Sequence, residues 1–125
     1  METKAPSETC NYNDCPVTTT LQVIGGKWKP IILWTIGTQI KRFGEIKRGI
    51  PGITQKMLTQ QLRELEADGI LSRTVYPEVP PRVEYVLTEM GHTLSPLLES
   101  MHEWGLKHQA HQKAAKQLTE AMQTA

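Results

Sequence analysis

A two-turn amphipathic segment, a tight turn and a longer leucine-striped helix run from Phe43 to Asp68, and the apolar period then changes from 3.6 to 2. The only strongly basic block of the chain coincides with the first of these signals. Together they predict a mainly α (α+β) fold, a winged helix-turn-helix with a two-stranded wing and a long C-terminal helix.

Residues 1–14 read as a polar N-terminal arm. Cys15-Pro16 opens a helix, because proline suits the first helical position, where a missing N–H has no helical partner to lose. Val17, Leu21 and Ile24 share one face, and Gly25-Gly26 ends the run. Lys27 to about Gly37 forms a second helix, apolar round most of its circumference, with Pro30 tolerated in its first turn. Phe43 to Ile50 is short, with Phe43, Ile46 and Ile50 inward. Pro51-Gly52 turns the chain, Thr54 is a good N-cap, and Leu58, Leu62 and Leu65 mark the buried stripe of a helix that Gly69 stops.

Leu71, Arg73 and Val75 alternate with Ser72, Thr74 and Tyr76, which reads as a strand. Pro77 to Pro81, with three prolines, is a loop, and Arg82 to Leu87 is the second strand of the hairpin. Thr88 to about His111 is helical, with Pro96 either kinking the helix or restarting it from Ser95. After His111 the sequence turns polar, and 113–125 is expected to be a frayed helix or tail, so the folded domain is placed at 15–112.

No apolar run approaches the roughly 20 residues of a membrane span, and the first residues resemble neither a secretory signal nor a transit peptide. A cytoplasmic protein without a membrane partner is expected. Residues 41–63 hold six bases against one acid, Glu45, whereas 64–125 hold five bases against nine acids. A cationic block within a chain of net charge +1 fits a polyanion, although a solvated basic face has the same composition. Its position on the helix-turn-helix favours double-stranded DNA over a winged helix used only for protein contacts.

On the face opposite the leucines stand Gln55, Lys56, Thr59, Gln60 and Arg63. Glutamine can bond adenine at two points, arginine guanine at two, and the threonine methyl can meet the thymine methyl. Thr54 begins a helix whose free N–H groups suit a phosphate. Lys41, Arg42, Lys47 and Arg48 are expected phosphate contacts, and Arg82 beside the wing turn a minor-groove or backbone contact; Arg73 is open to a place within the sheet. No phosphate-binding glycine loop, carboxylate pair or nucleophile motif points to an enzyme. His108 and His111 lie one turn apart without a cysteine or acid to complete a metal site, so no metal and no cofactor are expected.

The segments Cys15-Pro16-Val17, Ile24-Gly25-Gly26-Lys27-Trp28-Lys29, Arg42-Phe43-Gly44-Glu45-Ile46, Leu62 to Ile70, Pro80 to Tyr85 and Leu87-Thr88-Glu89-Met90-Gly91 resemble, in order, the signature blocks of the HxlR family. The resemblance implies a bacterial or archaeal winged-helix regulator, related in architecture to the MarR group, that binds operator DNA as a homodimer through its first and C-terminal helices. Val17, Leu21, Leu94, Leu97, Leu98, Met101 and Trp104 are the expected interface, being more apolar surface than one small core covers. Two recognition helices about 34 Å apart would then match a pseudo-palindromic operator.

Two cysteines without a secretory signal do not make a disulfide framework. Cys15 stands at a helix start, where unpaired N–H groups and the macrodipole favour the reactive thiolate. Several members of the family sense oxidants or electrophiles through a cysteine matching Cys15, with Cys10 available here as resolving partner; a buried packing role for Cys15 is the alternative. The sequence specifies no effector.

Overall fold

The structure is a computed structural model describing residues 14–124. They belong to two compact units, one ending at His92 and the other beginning at Thr93. Among the described residues no helix is long and apolar enough to cross a membrane.

In the first unit, α1 (Pro16–Ile24) starts from Cys15 with proline in its first turn, and the Gly25 N–H closes it by donating to the Leu21 carbonyl at 2.7 Å. Gly26 takes φ +89°, a left-handed conformation that glycine adopts without a Cβ clash. Helix α2 (Lys29–Ile36) begins two residues later than the sequence predicts. It buries Ile32, Leu33 and Ile36 but leaves Ile31 and Trp34 exposed, so it is buried on one side and not all round as expected. Helices α3 (Phe43–Gly49) and α4 (Gln55–Ala67) are the helix-turn-helix pair. Ile46, Leu58, Leu62 and Leu65 are at most 1% exposed, which fixes the inner faces of both helices in the core.

The sheet has three antiparallel strands in the order β1-β3-β2, with β1 at Lys41–Arg42, β2 at Leu71–Tyr76 and β3 at Arg82–Leu87. Lys41 and Arg42 pair with Tyr85 and Glu84, adding a third strand to the expected hairpin. Two residues carry no readable period, which is why β1 is silent in the sequence. In β2 the predicted alternation does not become burial: Leu71 is buried while Arg73 and Val75 are exposed. Of β3 only Tyr85 and Leu87 are buried, and its other residues are half-buried.

Thr88 joins the wing to the next helix. Its N–H donates to the Ile70 carbonyl, its hydroxyl bonds the Gly69 carbonyl at 2.6 Å, and its oxygen accepts the Gly91 N–H. Helix α5 (Glu89–His92) thereby lies so close to the α4–β2 junction that a side chain at Gly91 would run into the Ile70 carbonyl.

The second unit is α6 (Ser95–Thr124). The chain restarts its helix at Ser95, with Pro96 in the first turn where it displaces no hydrogen bond. Beyond His111 the segment expected as a frayed helix or tail is polar and exposed, and it is helical through Thr124. After Gly105 the sequence has no glycine or proline and is rich in alanine, glutamine and lysine, so nothing local breaks the helix.

Candidate nucleic-acid interface

Helix α4 presents two unlike faces. Its leucines are dry, while Gln55, Lys56, Gln60 and Arg63 are exposed and Thr59 is half-buried. Thr54 caps the helix as expected, its hydroxyl accepting the Met57 N–H at 3.0 Å. That bond leaves the N–H groups of Gln55 and Lys56 without intrahelical partners. The Thr59 hydroxyl donates to the Gln55 carbonyl at 2.8 Å, so its proton is committed to the backbone. With Glu64, these five side chains border an open concavity of about 710 Å³.

The acids of α4 are neutralised from behind. Lys29, 11% exposed at its side chain, reaches Glu64 with Nζ–Oε2 at 3.1 Å, and Gln61 adds a weaker contact at 3.4 Å. Arg73 of the wing root meets Glu66 at 3.0 Å. The acid of α3, Glu45, accepts the Arg42 N–H at 3.0 Å and so stabilises the start of its own helix. Among the described residues no ion pair engages Lys41, Lys47, Arg48, Lys56 or Arg63. The helix-turn-helix therefore carries cations facing solvent, with Glu64 and Glu66 facing other cations and Glu45 engaged by a backbone N–H.

The Lys29–Glu64 and Arg73–Glu66 pairs carry no sequence signal, because Lys29 and Glu64 lie far apart in the chain and Arg73 meets Glu66 across the turn that ends α4. A readable signal was Lys29 itself, a charged residue within an apolar run.

Lys41 and Arg42 sit in β1, and Lys47 and Arg48 on the exposed last turns of α3. Arg82 belongs to a different environment. Its Nη2 is 3.4 Å from Glu78 Oε1, its Nε 3.4 Å from Glu84 Oε1, and its guanidinium lies 4.0 Å over the Tyr76 ring. Arg42 and Arg82 border one hollow of about 390 Å³ between the start of α3 and the wing turn, away from Lys56 and Arg63. At the wing root, burial pushes the Tyr85 phenol above its ordinary value, while Arg73 pulls it down.

Of the expected interface residues, Val17 and Leu21 are 62% and 60% exposed on α1. Leu97, Met101 and Trp104 are exposed on α6, Leu94 is half-buried, and Leu98 is buried within the single chain. Cys15 is at the helix start as predicted and is 4% exposed, but its sulfur is disulfide-bonded and is not a thiolate. Oxidation state is set by the redox environment, which composition does not encode. The other cysteine, Cys10, lies outside the described residues. Among the described residues no three histidine, cysteine or acidic side chains gather as a metal site.

Residues 23–113 match the HxlR-like helix-turn-helix family. The uncharacterized HTH-type transcriptional regulator YybR of Bacillus subtilis is 59% identical over 95 residues, 76% of each chain. YdeP of the same organism, another uncharacterized HTH-type transcriptional regulator, is 54% identical over 98 residues, 78% of this chain and 77% of that one. The structure of the redox regulator HypR in its oxidised form superposes with a TM-score of 0.71 at 59% identity, covering 74% of this chain and 96% of that one. For its reduced form the TM-score is 0.74 at 55% identity, covering 79% and 98%.

Proposed function

The chain belongs to the HxlR-like helix-turn-helix family and is a DNA-binding transcriptional regulator, and from that premise we propose that it acts as a cytoplasmic homodimer on a pseudo-palindromic duplex operator. Gln55, Lys56, Thr59, Gln60 and Arg63 of α4 read base edges in the major groove, and Thr54, Lys41, Arg42, Lys47 and Arg48 hold phosphates. The observation that carries this reading is the segregation of charge on the helix-turn-helix, with Glu64 and Glu66 bound to Lys29 and Arg73 and no acid bound to Lys56 or Arg63. Exposed apolar residues on α1 and α6 support the homodimer.

The test is fluorescence anisotropy with a duplex recovered by in vitro selection from a random library, against a scrambled duplex of equal length. A specific regulator prefers the selected duplex by roughly a thousandfold or more and weakens steeply with salt. Equal affinity for the two, or no enriched sequence, contradicts the reading.

Redox control through Cys15, with Cys10 as resolving partner, is a second part of the proposal. Its support is the helix-start position and oxidised state of Cys15, and a likeness to a protein known as a redox regulator in two oxidation states. Oxidation by diamide converts two thiols to one disulfide, with the electrons and protons going to the diamide. Selected-duplex affinity of the reduced wild type should change on diamide treatment and that of reduced Cys15→Ser should not; an equal response rejects Cys15 as the sensor.

A further inference from the structure

Strand register sets three polar side chains in one row at the root of the wing. In an antiparallel pair, residues directly opposite each other point to the same face of the sheet. Tyr85 of β3 stands opposite Lys41 of β1 and opposite Arg73 of β2, so all three share a face. The ion pair between Arg73 and Glu66 turns that face toward α4. Arg82 and Glu84 alternate with Tyr85 along β3 and belong to the opposite face, so the captured arginine is not part of the row. The charges of Arg73, Glu66 and Arg63 all act on the Tyr85 phenol, which brings Arg63 of α4 to the same junction. Three cations meet there against one carboxylate.

Tyr85 is 8% exposed, and its hydroxyl makes no hydrogen bond within the described residues. Among those residues Arg82 Nε is the one buried side-chain nitrogen or oxygen without a hydrogen-bond partner, so the Tyr85 hydroxyl opens to solvent at the end of an otherwise enclosed ring. Burial raises the phenol above its ordinary value, which keeps it a proton donor at neutral pH. Arg73 makes one polar contact among the described residues, from Nε to Glu66 at 3.0 Å, and its side chain is 48% exposed, so its Nη groups are left to donate elsewhere. The row thus offers donors and positive charge, with its single carboxylate already engaged. Base edges mix donors with acceptors, whereas phosphate oxygens only accept. A duplex holding α4 in its major groove runs a phosphate strand along the edge of that groove, where the wing borders the helix.

We propose that Tyr85 and Arg73 form a phosphate seat at the junction of α4 and the wing, where the Tyr85 hydroxyl and the Arg73 Nη groups donate to one phosphodiester of the duplex. Lys41 and Arg63 strengthen the field there. The seat rests on the duplex-binding reading above and adds two binding residues to it. It is tested with the full chain and the selected duplex, in which a single uncharged methylphosphonate linkage is moved one position at a time. For the wild type, one linkage in each half-site should be costly because it occupies the seat. Tyr85→Phe removes only the hydroxyl. It should bind the unmodified duplex roughly tenfold more weakly and lose most of the extra cost at that linkage alone, as two groups in contact do in a double-mutant cycle. Arg73→Gln should couple to the same linkage. The readout is a difference between linkages, so a loss of stability common to all of them does not move it. Wild-type affinity in Tyr85→Phe overturns the seat, as does weaker binding with every linkage keeping its wild-type cost, the mark of a purely structural role. Coupling of Arg73→Gln to another linkage or to none also overturns it. All three results leave duplex binding by α4 standing, whereas a wild type that does not prefer the selected duplex overturns both.

Discussion

On α4, Lys56 and Arg63 stand beside acids already held by Lys29 and Arg73, whereas on the wing Arg82 is itself held, between Glu78 and Glu84 and over the Tyr76 ring. Both regions contain arginine near a surface that a duplex could approach. One arrangement leaves cationic charge facing solvent, and the other spends it on stiffening a hairpin. The difference shows that a count of basic residues does not locate a polyanion site; the pairing of those residues does. The pairs of Arg82, whose side chain is 29% exposed and that of Glu84 18%, set two carboxylates against the field that a phosphate would feel.

Reversing the cations of α4 should have the largest effect. Lys56→Glu with Arg63→Glu is expected to weaken selected-duplex binding by about a hundredfold or more, with the thermal midpoint nearly unchanged because both side chains are exposed. Retained affinity in a folded variant would remove the distinction between the two regions.

Next is the support behind the helix. Glu64→Gln leaves Lys29 largely buried without its counter-charge and should cost about 1–2 kcal/mol in urea unfolding. Lys29→Met should cost less, because Glu64 is 44% exposed at its side chain and can be hydrated. The reverse order would mean that the pair does not anchor α4.

A smaller effect is expected on the wing. Glu78→Gln with Glu84→Gln releases the Arg82 guanidinium and should strengthen DNA binding by roughly two- to fivefold at low salt. Weaker binding would show that the held arginine already contacts the duplex.

The smallest concerns pH. The Tyr85 phenol is raised by burial in the folded chain, so folding retains a proton that the unfolded chain gives up near pH 10. Its contribution to stability is present below that pH and lost as pH rises through the folded value. Between pH 9 and 11 the wild type should therefore lose more thermal stability than Tyr85→Phe; equal losses would remove Tyr85 from the wing root's energetics.

Much of α4 was legible because three local signals coincide. A capping threonine, leucines at helical spacing and a stopping glycine place a helix at 54–68, against the observed Gln55–Ala67. Each signal acts within a few residues, where sequence and structure share the same neighbours. Part of what was missed depends on residues distant in sequence. Strand β1 exists because Lys41 and Arg42 meet Tyr85 and Glu84, some forty positions away. Arg82 was readable as a cation by the wing turn, but its capture by Glu78 and Glu84 follows from the hairpin register and the turn, not from any period. For the end of α6 the sequence leaves a frayed helix or a tail open, because its polarity suits both; alanine, glutamine and lysine sustain the helix through Thr124.

The central claim is that α4 reads the duplex with cations that the protein leaves uncompensated. Its most direct test is the slope of log affinity against log salt for the selected duplex. Lys56→Gln with Arg63→Gln should lower the magnitude of that slope by about two per protomer, and Arg82→Gln by less than about 0.5. A slope unmoved by the α4 substitutions would contradict the account.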